Sequence, residues 1–126
     1  MANILVIDDD EQFRAMLTQM LTQERHRVTA ATDGKMGLEL LSHFTPDLII
    51  TDILMPNKDG IELILELVHK GCTIPMIAIS GGRRSIHAQF NLDSATLMGV
   101  NATLTKPFTR EDLRNAIRQV LAGSGS

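Results

Sequence analysis

Two short runs of aliphatic residues each stop at aspartate, and this pattern restricts the fold more than any other feature of the chain. Ile4-Leu5-Val6-Ile7 ends at Asp8-Asp9-Asp10, and Leu48-Ile49-Ile50-Thr51 ends at Asp52. A strand with one wet face alternates apolar and polar residues, so a continuous apolar run implies cover on both faces. Residues 74–79 repeat the pattern, 27–31 give a weaker strand and 102–105 a short one. Helical spacing fills the gaps between these runs. Phe13, Met16, Leu17, Met20 and Leu21 place one apolar stripe on a helix over 11–23. Leu38, Leu40, Leu41 and Phe44 belong to a second helical stretch that ends before Pro46, and Ile61, Ile64, Leu65 and Val68 mark a third after the Pro56 to Gly60 loop. A fourth ends at Gly99 as its left-handed cap. Thr109-Arg110-Glu111-Asp112 reads as a capping box that opens the fifth, whose inner stripe is Leu113, Ala116, Ile117, Val120 and Leu121. Five strands alternating with five helices predict an α/β fold, a doubly wound parallel sheet covered on both faces by right-handed crossovers.

Composition narrows the functional classes. At 126 residues, 44% of them hydrophobic, the chain suits a single domain, read here as 1–122 with a linker-like tail over 123–126, Gly-Ser-Gly-Ser. A net charge of −3 with scattered Lys and Arg offers no footprint for a nucleic-acid backbone, and four Phe without Tyr or Trp offer little for base stacking. Cys72 is the sole cysteine, so no intrachain disulfide or CxxC site exists. The start Met1-Ala2-Asn3 carries no signal-like segment, and no apolar run approaches membrane-spanning length. The expectation is a soluble, cytoplasmic domain that binds neither nucleic acid nor membrane.

In a doubly wound sheet the ligand crevice lies beyond the carboxyl ends of the strands. Asp8 and Asp9, Asp52, Ser80 and Lys106 each directly follow a predicted strand, so four segments aim polar groups at one rim. Clustered carboxylates repel one another unless a hard divalent cation shares their charge, and Mg²⁺ suits such oxygen ligands. A phosphoryl group in transit carries its charge on three equatorial oxygens. Its transfer needs an in-line nucleophile surrounded by cations and donors, which makes Asp52 the natural nucleophile, with Lys106 and Ser80 beside it.

These residues resemble the receiver domains of two-component response regulators, including the chemotaxis receiver, and the resemblance spans essentially the whole chain. It rests on the run from Ile4 to Asp10, on Asp52-Ile53-Leu54-Met55-Pro56-Asn57-Lys58-Asp59-Gly60, on Ser80, and on Lys106-Pro107-Phe108. The resemblance implies a flavodoxin-like strand order of 2-1-3-4-5. It implies that Asp52 is the phosphoacceptor, that Asp9, Asp52 and the Leu54 carbonyl bind Mg²⁺ with Asp8 assisting through water, and that Ser80 and Lys106 contact the phosphoryl oxygens. It also implies a cis Lys106-Pro107 bond, in keeping with the restriction of cis peptides to proline. The partners implied are a histidine kinase or histidine phosphotransfer protein upstream and a protein target or output domain downstream. The domain would act on no external substrate, catalysing only its own phosphorylation and dephosphorylation.

Two positions depart from the family pattern. Thr103 stands where an aromatic switch residue is common, and the stretch from Ser80 to Lys106 is long, with its extra residues around Gly81 to Ser85. Two rival functions would show different residue patterns. A phosphohydrolase of the haloacid-dehalogenase kind would carry a second aspartate two residues after the nucleophile, where this chain has Leu54. A pseudo-receiver would have lost part of the set Asp9, Asp52, Ser80 and Lys106. Other residues take plain readings. Asp10 is an N-cap, Arg83 and Arg84 are solvated, and Ser80-Gly81-Gly82 lacks the pattern of a phosphate-cradling loop. His26, His43, His69 and His87 share no motif and read as surface residues, and the methionines as core filler.

Overall fold

The computed structural model describes residues 2–53, 60–81 and 100–124. Five parallel strands, β1 (Asn3–Ile7), β2 (Arg27–Ala31), β3 (Leu48–Asp52), β4 (Met76–Gly81) and β5 (Ala102–Lys106), lie in the order β2-β1-β3-β4-β5. Four helices are described, α1 (Glu11–Gln23), α2 (Gly34–Leu41), α3 (Gly60–His69) and α4 (Arg110–Ser124). The doubly wound fold and strand order expected from the sequence are therefore present. The helix expected to end at Gly99 lies outside the described residues.

The pleat sorts the core into two layers. Ile4 and Val6 of β1, Leu48 and Ile50 of β3, and Ile77 and Ile79 of β4 pack with Leu17 and Leu21 of α1 and with Leu113, Ala116, Ile117 and Val120 of α4. Their neighbours Leu5, Ile7, Ile49, Met76 and Ala78 pack on the other face with Leu63, Ile64 and Leu67 of α3. Full burial of such side chains stabilises the fold by about 1.5–3 kcal/mol each. This explains why β1, β3 and β4 read as unbroken apolar runs: both faces are dry.

Helix ends follow local chemistry. The Asp10 carboxylate accepts from the backbone N–H of Gln12 and Phe13, so it caps α1 as expected. Thr109 and Asp112 form the reciprocal capping box, each side-chain oxygen accepting the other's N–H at 3.0 Å. After α3, Gly71 takes a φ of 74° and Cys72 N–H returns to the Leu67 carbonyl, a left-handed stop. After α1 the same stop falls on Arg25, with a φ of 69°, and His26 N–H returns to the Leu21 carbonyl.

Several sequence expectations need correction. The fourth strand runs Met76–Gly81 rather than 74–79. Pro75 has no N–H for the ladder, and at the other end Ser80 and Gly81 pair with Thr105 and Lys106. Ser80 thus lies inside its strand, as Asp52 and Lys106 lie at the last positions of theirs. The second helix stops at Leu41, because the Ser42 hydroxyl turns back to the Glu39 carbonyl, and Phe44 packs on the core from outside it. In α3 the buried face is Leu63, Ile64 and Leu67, while Leu65 and Val68 are exposed. Glu62, Glu66 and His69 form a polar stripe along that helix with Leu65 beside it, but the stripe does not say that Leu63 rather than Val68 faces the core. Met16 is likewise exposed within the α1 stripe. His26 is half-buried, and its Nδ1 accepts the Ala2 N–H at 3.0 Å. Gly37 of α2 marks a close approach, since a Cβ there would lie 2.5 Å from Ile7 Cδ1 and the Ile7 side chain would have to shift.

Candidate functional site

Three pleat columns on the α1/α4 side of the sheet change character at the carboxyl rim. Ile4 and Val6 lead to Asp8, Leu48 and Ile50 to Asp52, and Ala102 and Leu104 to Lys106. Side chains alternate along a strand, so each column keeps its direction while turning from apolar to charged. The structure brings the sequence-predicted acidic residues together: one carboxylate oxygen from each of Asp8, Asp9 and Asp52 lies within 4.8 Å of the others. Asp8 is 1% exposed and Asp52 7%, whereas Asp9 is open to solvent.

Asp8 is fixed on every side but one. Its N–H donates to the Ala31 carbonyl, its own carbonyl accepts from Arg14 Nη1 at 2.8 Å, and its Oδ1 accepts the Asp10 N–H at 2.8 Å. Its Oδ2 is buried without a hydrogen bond among the described residues. Lys106 Nζ lies 3.5 Å from that oxygen, an ion-pair distance, and donates to Asp52 Oδ2 at 3.1 Å. Burial pushes the Asp8 carboxyl up to about 6; the Asp10 N–H opposes this, and the charge of Asp52 adds to it. Burial also penalises the Lys106 ammonium, but the Asp52 and Asp8 charges outweigh it and hold the amine above its usual range.

Ser80 falls in the opposite pleat column, in line with Met76 and Ala78. It is 1% exposed, and its Oγ has no hydrogen-bond partner among the described residues. A buried donor left without a partner is costly. Thr103, opposite Ala78 in the ladder, is exposed. Leu54 and the segment from Gly82 to Arg84 lie outside the described residues. The Lys106-Pro107 bond is cis, as the resemblance implied.

The lysine has one further neighbour, Phe13 of α1, whose ring centroid lies 3.8 Å from Nζ. Sequence spacing read Phe13 only as part of the core stripe. Its place three residues after the Asp10 cap, at the rim end of α1, was the available signal.

A doubly wound sheet with buried carboxylates and a lysine at its carboxyl rim defines a signalling module of the receiver class. The response regulator receiver domain matches residues 4–118, and the chain belongs to that family. It is 39% identical over 119 residues to an uncharacterized 14.6 kDa protein from the sodA1 3′ region of Leptolyngbya boryana, covering 93% of this chain and 88% of that one. It is 33% identical to the transcriptional regulatory protein AfsQ1 of Streptomyces coelicolor over 96% of this chain and 52% of that protein, so it spans about half of such regulators. Among solved structures, the receiver domain of the Francisella response regulator 1452 superposes with a TM-score of 0.84 at 27% identity, covering 98% of this chain and 99% of that domain. Receiver domains of two-component systems are signalling domains that bind Mg²⁺ at an acidic pocket, and the Asp8, Asp9 and Asp52 cluster has that character. No helix among the described residues is long and apolar enough to cross a membrane.

Proposed function

We propose that this domain accepts a phosphoryl group on Asp52 from a histidine kinase or histidine phosphotransfer protein, and passes the signal to a protein target or output domain by a conformational change. The observation that carries this reading is the Asp52 carboxylate at the end of β3, with Lys106 Nζ 3.1 Å away and two other carboxylates around it. Asp9 and Asp52 would hold Mg²⁺, with Asp8 assisting through water and the Leu54 carbonyl completing the protein ligands. When bound, the cation neutralises charge on the incoming phosphoryl oxygens. The rim oxygens fit such an ion: they are hard, closely spaced, and include a buried Asp8 Oδ2 whose one cationic neighbour among the described residues, Lys106 Nζ, stands 3.5 Å away.

The residues of the chain do the rest. Asp52 supplies the oxygen that attacks phosphorus as the P–N bond to the donor's histidine breaks and the imidazole leaves, and Lys106 presents donors to the acyl phosphate that forms. Ser80, with an unspent hydroxyl on the neighbouring strand, supplies the donor that distinguishes the phosphorylated from the unphosphorylated state. The test is intact-mass spectrometry with acetyl phosphate and Mg²⁺. One phosphoryl mass is expected on the parent and none on Asp52→Asn or after chelation. An undiminished adduct on Asp52→Asn overturns the assignment.

A further inference from the structure

The Lys106 ammonium is flanked on two sides by carboxylates and on a third by an aromatic ring. Nζ lies 3.1 Å from Asp52 Oδ2, 3.5 Å from Asp8 Oδ2 and 3.8 Å from the Phe13 centroid. We propose that Phe13 is a positioning residue, whose ring face holds the Lys106 ammonium against Asp52 and keeps it there as the charge on Asp52 changes.

A lysine does not hold itself in place. Its four-carbon stem is flexible and its ammonium strongly hydrated, so a lysine at a rim needs something besides its anionic partner to fix it. The Lys106 side chain retains 22% exposure, enough for water to compete. An aromatic face attracts the cation through its quadrupole while accepting no conventional hydrogen bond. The N–H donors therefore stay available for carboxylate or phosphoryl oxygens. A third carboxylate at this place would instead compete for those donors and raise the repulsion in the pocket.

The platform is itself braced. Phe108 meets the Phe13 ring edge to face, with centroids 5.7 Å apart and planes at 85°. Phe108 follows Lys106 by only two residues, so one short segment carries both the cation and the ring that orients its platform. Phe13 is set from its own side, because its N–H donates to the Asp10 carboxylate at the start of α1. The cap of α1, the ring and the ammonium thus form one continuous chain of contacts.

This inference rests on the reading of Asp52 as phosphoacceptor, and its test separates the two. Phe13→Leu removes the ring with little loss of volume; Phe13→Tyr keeps it. The first readout is the NMR shift of the Lys106 ε-protons, which needs no phosphorylation. The parent should show them displaced upfield by the ring, Phe13→Leu should return them to the ordinary lysine position, and Phe13→Tyr should keep them displaced. The second is the rate of acetyl phosphate labelling with Mg²⁺, expected to fall roughly 3- to 10-fold in Phe13→Leu and to recover most of that in Phe13→Tyr. An undisplaced parent signal, a parental rate in Phe13→Leu, or an equal loss in both variants overturns the proposal. If the parent takes no label on Asp52, the phosphoacceptor reading fails, while the ε-proton shifts still decide whether Phe13 holds Lys106.

Discussion

Asp8 Oδ2 lies 3.5 Å from Lys106 Nζ, and among the described residues no closer donor satisfies it. Burial pushes this carboxyl from an ordinary 3.8 up to about 6, with Lys106 opposing the rise. Between these values the folded chain holds a proton that the unfolded chain has lost. This contribution to stability is full below about pH 4 and is lost as pH rises through 6, on the order of 3 kcal/mol for a shift of this size. Urea denaturation of the metal-free protein at pH 4.5 and pH 7 should show the fall in the parent and a much smaller one in Asp8→Asn. Equal slopes would refute it. Adding Mg²⁺ at pH 7 should restore stability to the parent, since a ligand bound only by the folded state stabilises it.

Ser80 offers a separation of stability from signalling. Its hydroxyl is buried and unpaired among the described residues, so Ser80→Ala removes no folded-state hydrogen bond there and should leave the melting temperature unchanged or raise it, by up to about 1 kcal/mol in stability. The phosphorylation-dependent change in partner binding should weaken in the same variant. Thr103→Ala should alter that binding little, because Thr103 is exposed and its short side chain offers little surface to lose. Binding of the phosphorylated and unphosphorylated forms decides the point; a large loss with Thr103→Ala alone would contradict it.

Gly37→Ala pits two effects against each other. Alanine favours the helix by about 1 kcal/mol over glycine, but the new methyl would meet Ile7 Cδ1 at 2.5 Å and Cγ1 at 3.2 Å. Ile7 is fully buried, so the clash should win and lower stability by about 1–2 kcal/mol. The double variant Gly37→Ala, Ile7→Val removes Cδ1 and should be more stable than Gly37→Ala alone, as measured by denaturant midpoints.

Arg25 occupies a conformation that costs a non-glycine residue about 1–2 kcal/mol. Arg25→Gly relieves that strain while adding some freedom to the unfolded chain, for a net gain of about 0.5–1 kcal/mol. A drop in the thermal midpoint would show that the Arg25 side chain contributes more than its backbone loses.

The features legible in the sequence are local ones. Buried strands announce themselves by unbroken runs such as Ile4 to Ile7, and the caps at Asp10 and Thr109 by side chains that reach two or three residues. The rim carboxylates were legible because strand ends in this fold converge by a general rule. Features set by long-range packing were not. Glu62, Glu66 and His69 mark the outer side of α3, but nothing near Val68 says that Leu63 turns inward in its stead, and the rim position of Phe13 does not by itself say that Lys106, far along the chain, lies over its ring. The extension of β4 through Ser80 depends on Thr105 and Lys106 as partners, which a reading of 74–81 alone does not contain.

The three pleat columns also bear on how the chain finds its fold. A slip of β3 by one residue would turn Asp52 toward the layer occupied by Ile49 and Met76, away from Lys106, and strand a carboxylate in hydrocarbon. The apolar parts of β1 and β3 are nearly interchangeable and would tolerate such a shift on hydrophobicity alone. The charged terminus of each column makes misaligned pairings expensive, so the groups assembled for chemistry also act as proofreaders of strand alignment.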